Sequence, residues 1–172
     1  SSSTMCPTPR HNPVIWCLLR DQFDHVRPVE KALEEEYTFS YDSDWQPEKM
    51  LAQRPELILC VNEFHTEVAA CLAAGRLSRI PSLVLQDGIL EWRCQFENPR
   101  FIAGGGPSQH QPVLADKIAC IGNQSARQIA AWGNPAKVEV TGMPKLDSLL
   151  SNRPDPFASR GGSRLLVMTA KN

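Results

Sequence analysis

The ionisable side chains of this sequence gather in short polar stretches, each following a run of apolar residues. The first, Arg20-Asp21-Gln22-Phe23-Asp24-His25, sets a guanidinium and two carboxylates beside an imidazole. An imidazole titrates near neutral pH, and beside a carboxylate it can take a proton from a hydroxyl and later return it. His25 and Asp24 are therefore the candidate acid–base pair, with Asp21 as a polar binding group. The competing reading is that Asp21 or Asp24 only caps a helix and His25 is solvated in its first turn. Asn62-Glu63-Phe64-His65 is a second stretch, in which Asn62 can equally be a helix cap. Gln86-Asp87-Gly88-Ile89-Leu90-Glu91-Trp92-Arg93 is a third, with a turn built on Asp87-Gly88 as its alternative. The fourth, Thr141-Gly142-Met143-Pro144-Lys145, joins a residue permissive of a tight turn to one that fixes the exit direction.

Two further features carry less. Gly104-Gly105-Gly106-Pro107-Ser108 offers backbone N–H groups for a phosphate, but the Lys-Ser/Thr of a P-loop does not follow and a plain flexible loop accounts for it. His110 beside it has no evident partner in sequence. No G-x-G-x-x-G fingerprint follows the first apolar run, which argues against a dinucleotide cradle.

These stretches need elements to position them, and the chain alternates between the two periodicities that supply them. Apolar runs at Val14–Leu19, Leu57–Val61, Pro81–Gln86, Lys117–Gly122 and Val138–Gly142 read as buried strands, and Tyr37–Tyr41 as another. Between them lie helices predicted over Pro28–Glu36, Pro47–Gln53, Glu63–Leu77 and Gln124–Trp132, the last ended by Gly133, with a helical turn over Leu146–Leu150. Strand and helix in alternation imply right-handed crossovers, hence an α/β, Rossmann-like, mainly parallel sheet with helices on both faces. Ligands of such sheets bind outside the carboxyl ends of the strands, which is where the four polar stretches fall.

The 172 residues suffice for one domain with a sizeable core and hardly for two. Eighteen Lys and Arg against nineteen Asp and Glu leave a formal charge of -1, no field for nucleic acid or an anionic membrane. No apolar run reaches the ~18 residues of a membrane span, and peripheral contact with a membrane stays open. None of the six cysteines forms a C-x-x-C pair and no His stands at zinc-finger spacing, so no metal is expected. Cys17, Cys60 and Cys120 sit inside strand-like runs and are expected as reduced core thiols of a cytoplasmic protein, with a disulfide framework as the alternative. Residues 1–12 read as a disordered or vector-derived end, 13–150 as the domain, and 151–164, rich in Pro, Gly, Ser and charge, as a linker. The apolar run at 165–172 reads as the opening strand of a second, truncated domain.

Asp116–Gly122, then Ser125–Gly133, then Lys137-Val138-Glu139-Val140-Thr141-Gly142-Met143-Pro144-Lys145-Leu146-Asp147 resemble a strand, helix and K-V-x-V-T-G-x-P-x-x-D segment of the GT-B glycosyltransferases and UDP-GlcNAc 2-epimerase. Kdo transferases and CDP-glycerol polymerases are similar here, and Pro55–Glu63 resembles another strand of the same families. The resemblance implies the N-terminal, acceptor-side domain of a transferase. Its partners would be a nucleotide-sugar donor, held largely by a C-terminal domain, and a sugar or polyol acceptor. No cofactor is implied. His25 or Asp24 would take the place of the base that deprotonates the acceptor, and Glu63 that of an epimerase catalytic acid displaced by one position. Gln86 stands where the epimerase has a catalytic Glu, and a neutral amide cannot shuttle a proton, which favours transfer over epimerisation. Asp87 and Glu91 would bind sugar hydroxyls and Arg93 a phosphate. Nucleotide-sugar epimerisation or hydrolysis, and a non-enzymatic flavodoxin-like binding domain, are the alternatives.

Overall fold

A computed structural model of the chain describes residues 12–63, 65–90 and 110–147. Glu91, Arg93, the glycine triplet at 104–106, the proposed linker and the last apolar run lie outside the described residues. Within them six strands form one sheet: β1 Val14–Leu18, β2 Thr38–Asp42, β3 Leu57–Cys60, β4 Ser82–Leu85, β5 Lys117–Cys120 and β6 Val138–Val140. Every pair is parallel, in the order β2-β1-β3-β4-β5-β6. The helices are α1 Phe23–Leu33, α2 Pro47–Ala52, α3 Thr66–Leu77 and α4 Asn123–Ala131, followed by a 3-10 turn at Pro144–Leu146.

The sheet separates two cores. Ile15, Cys17, Leu19, Leu59 and Val61 pack with Val26 of α1 on one face. Trp16, Leu18, Ile58, Cys60, Val84, Ile118 and Cys120 pack with Met50, Val68, Leu72 and Ile129 of the other helices on the opposite face. Alternate strand residues thus serve alternate faces, as the period of two requires. Parallel strands covered on both sides are apolar throughout, which is why β1 and β3 read as continuous runs. At Gly75 of α3 the packing is close, and a Cβ there would displace the Ile58 Cδ1 methyl.

Two helix starts differ from the sequence expectation. α1 begins at Phe23, not Pro28, and holds Pro28 inside it. Gln22 in the left-handed region (φ 57°) turns the chain directly from β1 into the helix, and the proline only leaves the Asp24 carbonyl without its helical donor. α3 begins at Thr66, three residues later than Glu63, because Asn62 and Glu63 stay non-helical and His65 takes the N-cap position.

Cys17, Cys60, Cys71 and Cys120 are buried free thiols. Burial pushes the Cys17 and Cys71 thiols up to about 12 and about 11.

Candidate functional site

The chain runs from β1 outward to β2, then returns across β1 to β3 on its other side. The sheet therefore has its topological switch point between β1 and β3, where a crevice opens at the carboxyl ends. A cavity of about 220 Å³ occupies that position, walled by Leu18 to Gln22 after β1, by Val61, Asn62 and His65 after β3, and by Trp45 after β2.

Local chemistry explains how Trp45 reaches it. The Asp42 carboxylate, buried at the end of β2, accepts N–H bonds from Asp44 (2.9 Å) and Trp45 (3.4 Å) and the indole N–H of Trp16 (3.2 Å). An aspartate bonding the backbone two and three residues on builds a tight turn, and Trp45 closes it with a positive φ of 54°. Arg20 lies over the indole, its guanidinium carbon 3.7 Å from the ring centroid, and donates Nε–H to the Ser43 carbonyl at 2.8 Å. The His65 ring packs on the same indole at 5.1 Å between centroids. Among the described residues five non-glycine residues have positive φ, and two of them, Gln22 and Trp45, wall this one cavity. Backbone held in sparsely populated regions concentrates at ligand sites.

The cavity has a second distinguishing property. Trp45 Nε1 and Asn62 Oδ1 are both buried and have no hydrogen-bond partner. Such a group costs about 1–3 kcal/mol when nothing satisfies it. Asn62 is thus not the helix cap that its position after β3 suggested, for α3 has no side-chain cap.

One turn further along α1, His25 lines a second cavity of about 180 Å³ with Val29, Leu83, Leu85, Gln86, Gly142 and Lys145 among its walls. His25 is 6% exposed. Lys145 Nζ lies 2.7 Å from its Nε2 and 3.6 Å from an Asp24 carboxylate oxygen. Burial first, then the Lys145 charge, lower the His25 pKa below 6.5, while Asp24 and Asp87 oppose them. The capping alternative for Asp21 and Asp24 fails here too, since the N-cap of α1 is Gln22 without a side-chain bond. Gln22 instead donates to Asp87 at 3.3 Å, tying the two polar loops together. Gly142 has φ 82°, which supplies the turn that brings Lys145 back over α1.

The expected site residues therefore divide. Asp21, Asn62 and His65 meet at the switch point; Asp24, His25, Gln86, Asp87 and Gly142 meet around the imidazole. Gly88 serves the frame, its carbonyl accepting from Gln86 at 2.6 Å. Glu63 departs from the expectation of an acid open to the cleft. It is buried, with Oε1 3.1 Å from His110 Nδ1 and Oε2 accepting N–H bonds from Leu114 and Ala115 at 2.8 and 2.9 Å. His110, partnerless in sequence, finds its partner there. Gln86 is buried and fully engaged, donating to Ser125 Oγ and accepting from the Ile121 N–H, each at 3.0 Å. Sequence reasoning missed Trp45 and Lys145. Extending the strand-end rule to β2 finds the first, and the second lies inside the Thr141–Lys145 loop that the rule had already selected.

No protein-family model matches the chain, and no curated protein matches it. Solved structures do share its fold. A protein assigned as a UDP-N-acetylglucosamine 2-epimerase of Listeria monocytogenes superposes with a TM-score of 0.56 at 16% identity, over 87% of this chain and 50% of that one. The UDP-GlcNAc 2-epimerase of Neisseria meningitidis, solved with UDP-GlcNAc, gives 0.55 at 14%, over 82% and 49%. That of Rickettsia bellii gives 0.53 at 13%, over 82% and 48%. The chain thus spans about half the length of each, and at these identities the likeness is one of fold.

Proposed function

We propose that the chain is the acceptor-side half of a two-domain enzyme that uses a nucleotide-activated sugar, and that the switch-point cavity holds a hydroxyl-bearing unit of its acceptor. The carrying observation is that two residues walling one cavity each bury an unsatisfied polar atom, the Trp45 indole N–H and the Asn62 amide oxygen. A carboxylate could accept from the indole but has nothing to give the amide oxygen. Hydroxyl groups donate and accept, so a sugar or polyol satisfies both, whichever way the amide is turned. At about 220 Å³ the space is below the roughly 300 Å³ at which pockets begin to enclose drug-sized ligands, so it suits one sugar or polyol unit and not a nucleotide. The donor belongs to the other half.

In this reading His25, which lines the second cavity, is the base for an acceptor hydroxyl that extends to it from the switch-point cavity. Its neutral imidazole takes the acceptor hydroxyl proton as that oxygen bonds to the sugar carbon of the donor, and the nucleotide leaves with the electrons of the broken bond. Asp24 and Asp87 oppose the positive field at His25 and stabilise the imidazolium that forms.

Epimerisation is the second reading, favoured by the three structural neighbours. The Gln86 amide weighs against it, since both its ends are committed to frame contacts and it has no proton to shuttle. The test is a titration of the [15N]indole resonance of Trp45, assigned with Trp45→Phe, against glycerol, N-acetylglucosamine and UDP. A saturable shift with a hydroxyl probe, absent with UDP and lost in Asn62→Leu, is expected. A resonance indifferent to both hydroxyl probes sinks the proposal.

A further inference from the structure

Lys145 sits where a base would need open space, and that placement has a consequence for His25. An ammonium has only donors to offer, so at 2.7 Å the imidazole Nε2 must be the acceptor. The neutral ring then carries its own proton on Nδ1. An imidazolium could not hold this contact, because two cations would face each other in a site where His25 is 6% exposed. The charges facing the ring come from three places: Asp24 on its own helix, Lys145 on the 3-10 turn after β6, and Asp87 after β4. The remaining walls of that cavity, among them Val29, Leu83, Leu85 and Gln86, carry no charge. Lys145 is itself three-quarters buried and lies 3.6 Å from Asp24, so its head group has a second partner within a small rotation.

From this geometry we infer that Lys145 is the positioning residue that fixes the tautomer and charge state of His25, covering Nε2 at rest and moving onto Asp24 when the imidazole takes a proton. Proton acceptance at Nε2 and withdrawal of the ammonium are one event, since neither state tolerates the other's arrangement. Asp24 is then the rest position of Lys145 in the protonated state, which gives its exposed carboxylate a role that needs no contact with substrate. The functional part rests on the reading of His25 as a base; the electrostatic part does not.

The experiment is an NMR titration of the His25 Cε1–H in the 172-residue chain, assigned with His25→Gln, in Lys145→Met, Lys145→Arg and Asp24→Asn. Lys145→Met should raise the titration midpoint, because a like charge is removed. Lys145→Arg should leave it lowered, since the charge is kept. Asp24→Asn should lower it further, because the opposing charge is lost and the ammonium has no second partner. A midpoint unmoved by Lys145→Met overturns the inference. Should that variant fail to fold, an unmoved midpoint in Asp24→Asn does so as well. A merely structural Lys145 would change melting temperature without ordering the midpoints this way. In the longer enzyme the acid limb of the pH–rate profile should follow the same order. If the midpoints shift while no hydroxyl probe moves the Trp45 resonance, the acceptor reading fails and the coupling stands.

Discussion

Two irregular regions flank the middle of this sheet, and they treat their polar groups in opposite ways. Residues 110–116, before β5, run without regular structure, yet side chains from around them satisfy much of their backbone. Asn134 accepts the Val113 N–H at 2.9 Å and donates to the His110 carbonyl at 2.9 Å. Glu63 takes the next two N–H groups, and Ser82 Oγ takes that of Asp116 at 3.0 Å. Lys137 donates to the Val113 and Ala115 carbonyls at 2.5 and 3.0 Å, and Arg76 to that of Leu114. At the switch point, by contrast, Trp45 Nε1 and Asn62 Oδ1 are unmatched. The one other unmatched buried side-chain atom among the described residues is Gln111 Nε2, within that segment. A buried acid is thus no guide to chemistry in this protein. Glu63 is occupied by contacts of the frame, whereas two of the unmatched atoms lie on residues that wall the candidate site.

Substitutions can break this contrast, and the largest effect should come from Glu63→Ala. It strips two N–H groups and His110 of their acceptor inside the core, and should cost about 3 kcal/mol in urea denaturation. Gln86→Leu removes three hydrogen bonds at a buried position and should cost about 2 kcal/mol by the same measurement. Asn62→Leu should do the reverse. Replacing an unsatisfied oxygen by a group of similar size should change stability by less than about 0.5 kcal/mol or raise it, while abolishing the response of Trp45 to hydroxyl probes. A large loss of stability there would erase the distinction between the two regions. The smallest effect concerns pH. Because the folded His25 pKa lies below its ordinary value, the unfolded chain binds more protons through that window and stability rises with pH. His25 therefore contributes fully above about pH 6.5, and its contribution fades as pH falls toward the folded pKa. Thermal melts from pH 7.5 to 5 should show a falling midpoint, with a shallower fall in Lys145→Met.

Sequence periodicity carries the fold well, for a reason visible in β1 and β3. Strands buried on both faces must be apolar at every position, so Val14–Leu18 and Leu57–Cys60 announce themselves. The site was half legible. Asp21, Asn62, His65 and His25 follow from the strand-end rule, because a parallel sheet fixes which loops converge. Trp45 was not, since its place depends on a left-handed turn held by the Asp42 side chain, and neither feature has a periodicity. Lys145 was missed because sequence distance hides its partner: it meets His25 only after the whole sheet has been laid down. The position of Glu63 after β3 does not reveal that its carboxylate bonds His110 and the Leu114 and Ala115 N–H groups, which come from far along the chain.

The crossover between β1 and β3 also has a kinetic meaning. Ile15 pairs with Leu57, and α1, β2 and α2 lie between them in the chain. The two walls of the cavity cannot meet until that long loop has closed, and loop closure must precede any reward from the contacts it brings. The cavity should therefore be among the last parts of the domain to assemble in refolding. Amide exchange at Val61 and Leu19 would reach protection after that of helix α3, whose contacts are local. A partially folded chain would hold secondary structure before the cavity between β1 and β3 existed.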